Sequence, residues 1–419
     1  MQRISLCIGL MALAVSGLGC HHDSPPKAET GPLPERGYLW QREWTPSVVA
    51  GFREAEKRLD GVVVLGAELG WSGSTSHVAR ATIVWDALKN QDVALAVRVA
   101  PYEGPFTTDD AAFQAVAGDV RHTLDQAHAH GVQPTELQLD FDCAQKRLSG
   151  YRLWVKALRT MVAPLPLVIT ALPAWLAEGD FPALAREADG IVLQVHSVPT
   201  LAEAGHAVLC DPMLARRWAA EASQLGLKFS ISLPAYWCVA GYDAKGKLLG
   251  VAMDSVQPAW PSGIRMLEFS ADADEIANLV SDWKRERPAG LKEILWYRVP
   301  IATDERNWRW PTLAAVMAGR PPAHRVEALC EGGNPADISI VNRGEAEERS
   351  ARTVTLSWTG ATATAWDALP GWTVSVDPGH AVFTTGPGPG LRLSPGDRRG
   401  IGWIRYDKIT VPRCLVEAR

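Results

Sequence analysis

From Gly37 onward, short apolar runs with strand-like alternation keep giving way to amphipathic stretches. That order constrains the fold more than any other feature, because alternating strands and helices build a parallel sheet covered by helices. Eight strand-like runs can be counted: Gly37–Trp44, Gly61–Glu68, Asp92–Ala100, Glu136–Asp142, Pro166–Leu172, Gly190–Ser197, Lys228–Pro234 and Glu293–Val299. Helices are expected over Pro46–Leu59, Ala79–Asn90, Ala111–His130, Leu148–Val162, Phe181–Glu187, Pro212–Leu225 and Asp274–Arg287, with Pro311–Met317 last. Thr45-Pro46 and Asp211-Pro212 read as capped starts with Pro at the first helical position. Eight such units predict an α/β fold, a (β/α)8 TIM-type barrel over residues 37–322. A doubly wound open sheet is the alternative, weakened because no GxGxxG or P-loop follows the first strand. No cofactor is expected.

A long connection follows the seventh strand, and Gly241 to Leu249 within it reads as a hairpin with a Gly turn over the barrel mouth. After about Ala323 the helix signal stops. Short alternating runs follow at Asp337–Asn342, Thr353–Trp358, Trp372–Val376, Ala381–Thr385 and Ile401–Arg405, split by Gly/Pro turns. They predict a small antiparallel β-sandwich over residues 323–419.

The first 36 residues are of another kind. Met1-Gln2-Arg3 is a short basic start, and Ile4 to Val15 is an apolar run too short to remain as a span. Ser16-Gly17-Leu18-Gly19-Cys20 completes a segment that resembles a bacterial lipoprotein signal, with Cys20 as the lipidated residue. Gly17 stands where that pattern commonly has Leu, so ordinary secretion is the alternative. Residues 21–36, rich in Pro and charge, read as a flexible tether. The expected address is the cell envelope, with a membrane anchor at Cys20. An oxidising compartment permits disulfides, and the candidate pairs are Cys330 with Cys414 and Cys210 with Cys238. A net charge of -5 with no basic run gives no reason to expect nucleic acid.

The chemistry is expected around Glu136-Leu137-Gln138-Leu139-Asp140-Phe141-Asp142-Cys143. Alternate side chains of a strand face opposite sides, so Glu136, Gln138, Asp140 and Asp142 share one face. In a closed barrel that face points at the axis, and its carboxyl end is where barrel enzymes keep their reacting groups. The same alternation sends Glu68, Arg98, Gln194, His196, Tyr236 and Arg298 inward near the strand ends. Seventeen Trp is the one skewed count; Trp faces suit sugar rings and core packing equally. Trp40, Trp44, Trp175, Trp237, Trp260, Trp296 and Trp308 include several at strand ends or loops, with Trp296 a candidate substrate contact.

Glu136–Cys143, Leu193-Gln194-Val195-His196, Trp296-Tyr297-Arg298 and Asn307-Trp308-Arg309-Trp310-Pro311-Thr312-Leu313 resemble the bacterial domain-of-unknown-function family 3142. The likeness covers nearly all of the chain after the signal, and Asn307–Pro311 is its most specific part. It implies an envelope protein with a barrel related to glycoside hydrolases, and no established activity to carry over.

Glycoside hydrolysis uses one carboxyl group as acid and another as base or nucleophile, about 5–9.5 Å apart. Asp142, at the rim, is the expected proton donor; Asp140 would pair with Arg98 and orient it, and Glu68 would be the opposing carboxylate. The bland reading is a structural Asp–Arg pair inside the barrel. Asp140-Phe141-Asp142 looks like the centre of the chitinase-type fourth-strand motif, but Ala144 occupies the place of its catalytic Glu. The seventh strand ends in Leu233-Pro234-Ala235-Tyr236, without the Glu of the commonest retaining barrels. His196 reads as a proton shuttle or as a structural donor, and one His with two Asp is thin for a metal. Two functions follow: a hydrolase acting on a polysaccharide or glycoconjugate, or a glycan-binding or assembly protein on the same scaffold. Arg98, Gln194, His196, Tyr236, Trp296 and Arg298 would position the ligand in either.

Overall fold

The computed structural model describes residues 31–73, 75–199, 208–253, 259–386 and 391–418. The signal segment, Cys20 and most of the tether lie outside them.

The chain opens with β1 (Glu35–Leu39), α1 (Pro46–Ala55), β2 (Gly61–Ser72), β3 (Thr75–Arg80), β4 (Val93–Val99), α2 (Ala111–Ala129), β5 (Leu137–Phe141) and α3 (Leu148–Val162). It continues through β6 (Leu167–Ala171), α4 (Phe181–Glu187), β7 (Gly190–Gln194), α5 (Pro212–Ser223) and β8 (Phe229–Pro234). An inserted sheet of β9 (Trp237–Tyr242), β10 (Leu248–Ala252) and β11 (Arg265–Ser270) comes before α6 (Ala273–Arg285), β12 (Leu291–Tyr297) and α7 (Trp310–Met317). Strands β1, β12, β8, β7, β6, β5, β4 and β2 neighbour one another in that order, and a β1–β2 pairing closes the ring. The eight are parallel. This is a closed TIM-type barrel, and the open-sheet alternative is excluded.

The eight strand runs are all found, with shifted ends. The first begins at Glu35, inside the stretch read as tether; Glu35 and Arg36 are buried there. One expected helix is wrong. Residues 79–90 form the end of β3 and a short 3-10 turn, because β2 runs on to Ser72, turns at Gly73 (φ +62°) and pairs back on itself. Thr45 makes no side-chain cap on α1, whereas Asp211 accepts from the backbone N–H groups of Met213 and Leu214 at 2.8 and 3.2 Å.

Apolar side chains on the outer faces of the strands, such as Leu137, Leu139, Phe141 and Ile169, meet the helices in the main core. The inner faces are small and partly polar. From the amino end upward, β5 sends Glu136, Gln138 and Asp140 toward the axis. Arg36 donates to Glu136 at 3.0 Å and lies 3.6 Å from Glu293. The Gln138 amide donates to Glu136 at 2.7 Å and accepts from the Tyr38 hydroxyl at 2.8 Å. A buried charge left without a partner would be destabilising, so this stack is a condition of placing polar groups there.

The expected hairpin is present: β9 and β10 pair around the turn at Gly246 (φ +79°), and β11 pairs with the other side of β9. The carboxyl-terminal region forms two four-stranded antiparallel sheets. One is β13 (Val326–Glu331), β14 (Ala336–Asn342), β19 (Arg398–Tyr406) and β16 (Ala363–Ala368). The other is β17 (Trp372–Asp377), β18 (His380–Thr385), β15 (Arg352–Ser357) and β20 (Arg413–Ala418). Ile338, Ile340, Val354, Leu356, Phe383 and Ile404 fill the space between them.

Cys330 on β13 and Cys414 on β20 form a disulfide that ties the two sheets together. The other candidate pair does not form: Cys210 and Cys238 are buried free thiols, as is Cys143. The bridge spans 84 residues, and cross-linking a loop of that length restricts the unfolded chain by about 4–5 kcal/mol at most. The C330A/C414A double variant is therefore expected to lose about 2–4 kcal/mol in urea unfolding followed through the sandwich. Loss below about 0.5 kcal/mol would show that the bridge is incidental.

Candidate active site

At the carboxyl end of the barrel the strands open into a well of about 110 Å3. Arg98, Asp140, Asp142 and Thr170 form one wall. Tyr38, Trp40, Tyr236 and Tyr297 line it with His196, Gln194 and Ser232, and Met253 comes down from the inserted sheet. Pockets for whole small ligands run to about 300–1,000 Å3, so this well suits one end of a larger ligand.

The acidic wall is built by register. Glu68 on β2 pairs with Arg98 on β4, which pairs with Asp140 on β5, so the three stand in a row across adjacent strands. Arg98 lies 3.5 Å from Glu68, 3.8 Å from Asp140 and 3.9 Å from Asp142. The last two distances exceed hydrogen-bond range, so the guanidinium balances charge without locking either aspartate. Asp140 accepts a hydrogen bond from the Thr170 hydroxyl at 2.8 Å. Its side chain is 16% exposed, against 41% for Asp142 at the rim.

Burial, reinforced by the neighbouring Asp142 carboxylate, pushes Asp140 up to about 6, against the pull of Arg98 and Thr170. The rim position had suggested Asp142 as the proton donor; the group that keeps a proton toward neutral pH is the deeper Asp140. Burial works against the Arg98 charge as well, but Asp140, Tyr297, Asp142 and Glu68 outweigh it and raise its pKa.

The facing wall is aromatic. Trp40 meets Tyr38 edge-on at 5.3 Å and Tyr297 at 5.7 Å, and Tyr236 meets Tyr297 at 5.5 Å and 73°. His196 stacks on Tyr297, with its Nε2 3.3 Å from the Ser232 hydroxyl and its Nδ1 3.5 Å from the Tyr236 hydroxyl. Burial drives its pKa down to about 3, so His196 is neutral and a hydrogen-bonding group. Tyr297 is pushed up to about 12, mainly by burial, and keeps its proton.

Six of the nine candidate site residues read from the sequence line the well: Arg98, Asp140, Asp142, Gln194, His196 and Tyr236. Three do not. Glu68 is not an opposing carboxylate; it stands on the same wall as Asp140, with Arg98 between them, and its other oxygen is taken by Arg42. Trp296 faces the helices, fully buried, with its indole N–H on Glu35 at 2.8 Å, so it cannot touch a ligand in the well. Arg298 is buried against Asp304 at 2.7 Å and donates to the Met253 carbonyl at 3.3 Å. The inward residues of β12 are Glu293, Leu295 and Tyr297, one place off the register assumed for its end.

Tyr38, Thr170, Ser232, Met253 and Tyr297 were missed. Strict alternation down β5, β6 and β8 would have found Thr170 and Ser232; Met253 arrives through an insertion and carries no sequence signal. Of the Trp residues weighed as sugar contacts, only Trp40 lines the well. Trp44, Trp175 and Trp308 are buried, and Trp260 packs against Gly241 and Gly250. Asn307 ties down the end of β12 by donating to the carbonyls of Arg298 and Val299 at 2.9 and 3.1 Å. Among the described residues no group of His, Cys, Asp and Glu is arranged to hold a metal ion.

A family model described as domain of unknown function (DUF3142) matches residues 90–302, about half of the chain. The chain belongs to the DUF3142 family. The matched span runs from β4 through β12 and contains Arg98, both aspartates and Tyr297, while the Asn307–Leu313 segment falls beyond it. A comparison with curated proteins gives no match.

Among solved structures, this DUF3142 chain is similar to chitinase ChiA74 from Bacillus thuringiensis. The identity is 10% and the TM-score 0.43, over 91% of this chain and 100% of that one. It is also similar to the spore cortex-lytic enzyme SleL of Bacillus cereus, at 12% identity and TM-score 0.46, over 69% and 74% of the two chains. A third likeness is to a thermostable chitinase domain from Pyrococcus furiosus complexed with chito-oligosaccharides, at 11% identity and TM-score 0.39, over 70% and 96%. The barrel assignment rests on strand order and register, independently of these likenesses.

A pH-dependent stability follows from Asp140. Its folded pKa of about 6 lies above the ordinary 3.8, so between those values the folded state holds a proton that the unfolded chain has lost. Stability therefore falls as pH rises through that window, by about 2–3 kcal/mol in full above it. Asp140→Asn should raise the thermal midpoint at pH 7.5 and change it little at pH 3.5. Destabilisation at pH 7.5 would mean that the Asp140 charge is favourably held.

Proposed function

We propose that this DUF3142 protein binds the end of a glycan chain in the barrel well and cleaves it by carboxylate acid chemistry. The observation that carries this reading is the Asp140–Asp142 pair, one member buried and proton-holding, the other open to water, beside a wall of aromatic rings. A sugar ring laid on Trp40 and Tyr297 would bring its glycosidic oxygen toward Asp140. Asp140 would pass its proton to that oxygen as the C–O bond breaks, and Asp142 would take a proton from the water that adds to the sugar carbon. Thr170 orients Asp140, and Arg98 restrains the charge that remains on the pair after transfer. Gln194, Ser232 and neutral His196 supply fixed donors and acceptors for sugar hydroxyls.

The proposed setting is the cell envelope, after export and lipid attachment at Cys20. Support comes from the Cys330–Cys414 disulfide, a bond that persists outside the reducing cytosol.

One observation favours a second reading. Among the described residues no carboxylate lines the aromatic side of the well, so both acids act from the same wall, unlike the paired acids that flank a scissile bond. Ala144 and the absence of a Glu after β8 point the same way. On that reading the protein holds a glycan without cutting it.

The test is a panel of bacterial glycans with product analysis on the full chain and on Asp140→Asn and Asp142→Asn. Cleavage predicts turnover lowered about 10²–10⁴-fold in Asp140→Asn with binding retained. It also predicts a wild-type rate that falls about tenfold per pH unit above about 6, as Asp140 loses its proton. Turnover unchanged in Asp140→Asn removes it from the acid role. Saturable binding with no product from any glycan selects the second reading.

A further inference from the structure

The charges and rings of the well select among glycans. Facing Asp140 are Glu68 and Arg98 on the neighbouring strands, Asp142 on its own strand, Tyr38 from β1, Tyr297 from β12 and His196 beyond β7, with Arg42 on the outer side of Glu68. The tyrosines and His196 are neutral. Arg42 and Arg98 together balance two of the three carboxylates, leaving one negative charge uncompensated whenever Asp140 is ionised. Behind Tyr297, Arg298 is neutralised by Asp304 and adds nothing to this sum.

Opposite the acids stand Tyr38, Trp40 and Tyr297, whose ring centroids lie 5.3–5.9 Å apart at interplanar angles of 60–87°. Rings so tilted to one another form three sides of a box. Aromatic faces are negative, and a box of them beside a carboxylate is the chemistry that takes up an ammonium group. An anionic sugar would meet the same faces and Asp142 with repulsion. Arg98, 3.8 and 3.9 Å from the two aspartates, is already counted in that sum, so the net charge an anion would meet is negative once Asp140 is ionised.

We infer that the well is selective for an ammonium group, presented by an amino sugar whose amine is free rather than acylated. The amine would enter between the aromatic box and Asp142, and its charge would favour the ionised form of Asp140. Amine binding would thus release the Asp140 proton, so a ligand of fixed positive charge should bind more tightly as pH rises through about 6. This rests on the carbohydrate reading above and narrows the ligand class; because the bound amine draws the proton off Asp140, it favours holding such a glycan over cutting it.

The experiment is calorimetric titration of the full chain with glucosamine oligosaccharides, with their N-acetylated counterparts, with uronic acid oligosaccharides and with tetramethylammonium. The expected result is binding of the free-amine oligomers at least about tenfold tighter than the acetylated ones, and no uronate binding. Tetramethylammonium, whose charge does not titrate, should compete and should weaken about tenfold from pH 7.5 to pH 5. Asp142→Asn should lower free-amine affinity at least about tenfold, by more than it changes acetylated binding. The pH arm needs no variant, so a poorly folding mutant does not spoil the test. Equal or tighter binding of the acetylated oligomers overturns this inference and leaves the glycan reading intact. Binding of tetramethylammonium alone keeps the ammonium chemistry but removes the amino sugar and the glycan reading with it. No binding in any arm overturns both.

Discussion

The polar stripe that β5 sends into the barrel has to be satisfied by protein for most of its length, and the rest of the interior is arranged around that need. At the amino end, Glu136 takes the Arg36 guanidinium and the Gln138 amide. One step up, Gln138 takes the Tyr38 hydroxyl. At the third step, Asp140 has Thr170 and, more distantly, Arg98. At the fourth, Asp142 reaches water. Each step has less protein support than the one below it. A proton retained on Asp140 is what results where support from the protein has thinned and water has not yet taken over.

That gradient connects fold to chemistry. Small inner side chains such as Ala94, Ala96 and Val192 let the stripe run along the axis without crowding. The aromatic side of the mouth then comes from β1 and β12, the first and last strands of the barrel in the chain, which pair as neighbours and so bring Tyr38, Trp40 and Tyr297 together. The inserted sheet adds Met253, and it is held from two directions. Arg306 donates to the Ala252 carbonyl at 2.8 Å, and its guanidinium lies 5.0 Å from the Trp237 ring. Arg392 of the sandwich lies 3.6 Å from the same ring, while Glu268 pairs with Arg392 and, at 2.7 Å, with Arg349. The sandwich thereby braces the insertion that overhangs the well.

Much of this was legible in the residues. The spacing of strand and helix signals gave the barrel, and alternation from Glu136 to Asp142 placed both aspartates correctly, because polar and apolar residues separate cleanly there. β12 offered no such contrast: Trp296, Tyr297 and Arg298 are each amphipathic, and the register was set one residue wrong, exchanging Tyr297 for its neighbours. Glu68 was assigned to an opposing wall because sequence gives a side chain's face but not its position around the ring. Strand order put it two strands from Asp140, on the same side. The helix expected over 79–90 failed because β2 overruns the barrel and pairs with β3, a tertiary choice that outweighs local periodicity. Cys210 and Cys238 stayed apart for a similar reason: pairing depends on three-dimensional approach, which spacing does not encode.

The central claim is that Asp140 and Asp142 act as one coupled pair, with the proton held on the buried member. Carbon-13 NMR titration of the Asp140 carboxyl, in the wild type and in Asp142→Asn, measures it directly. A midpoint near 6 that drops when the Asp142 charge is removed is the result this structure requires. A midpoint at the ordinary carboxylate value of 3.8, unmoved by the substitution, would contradict it.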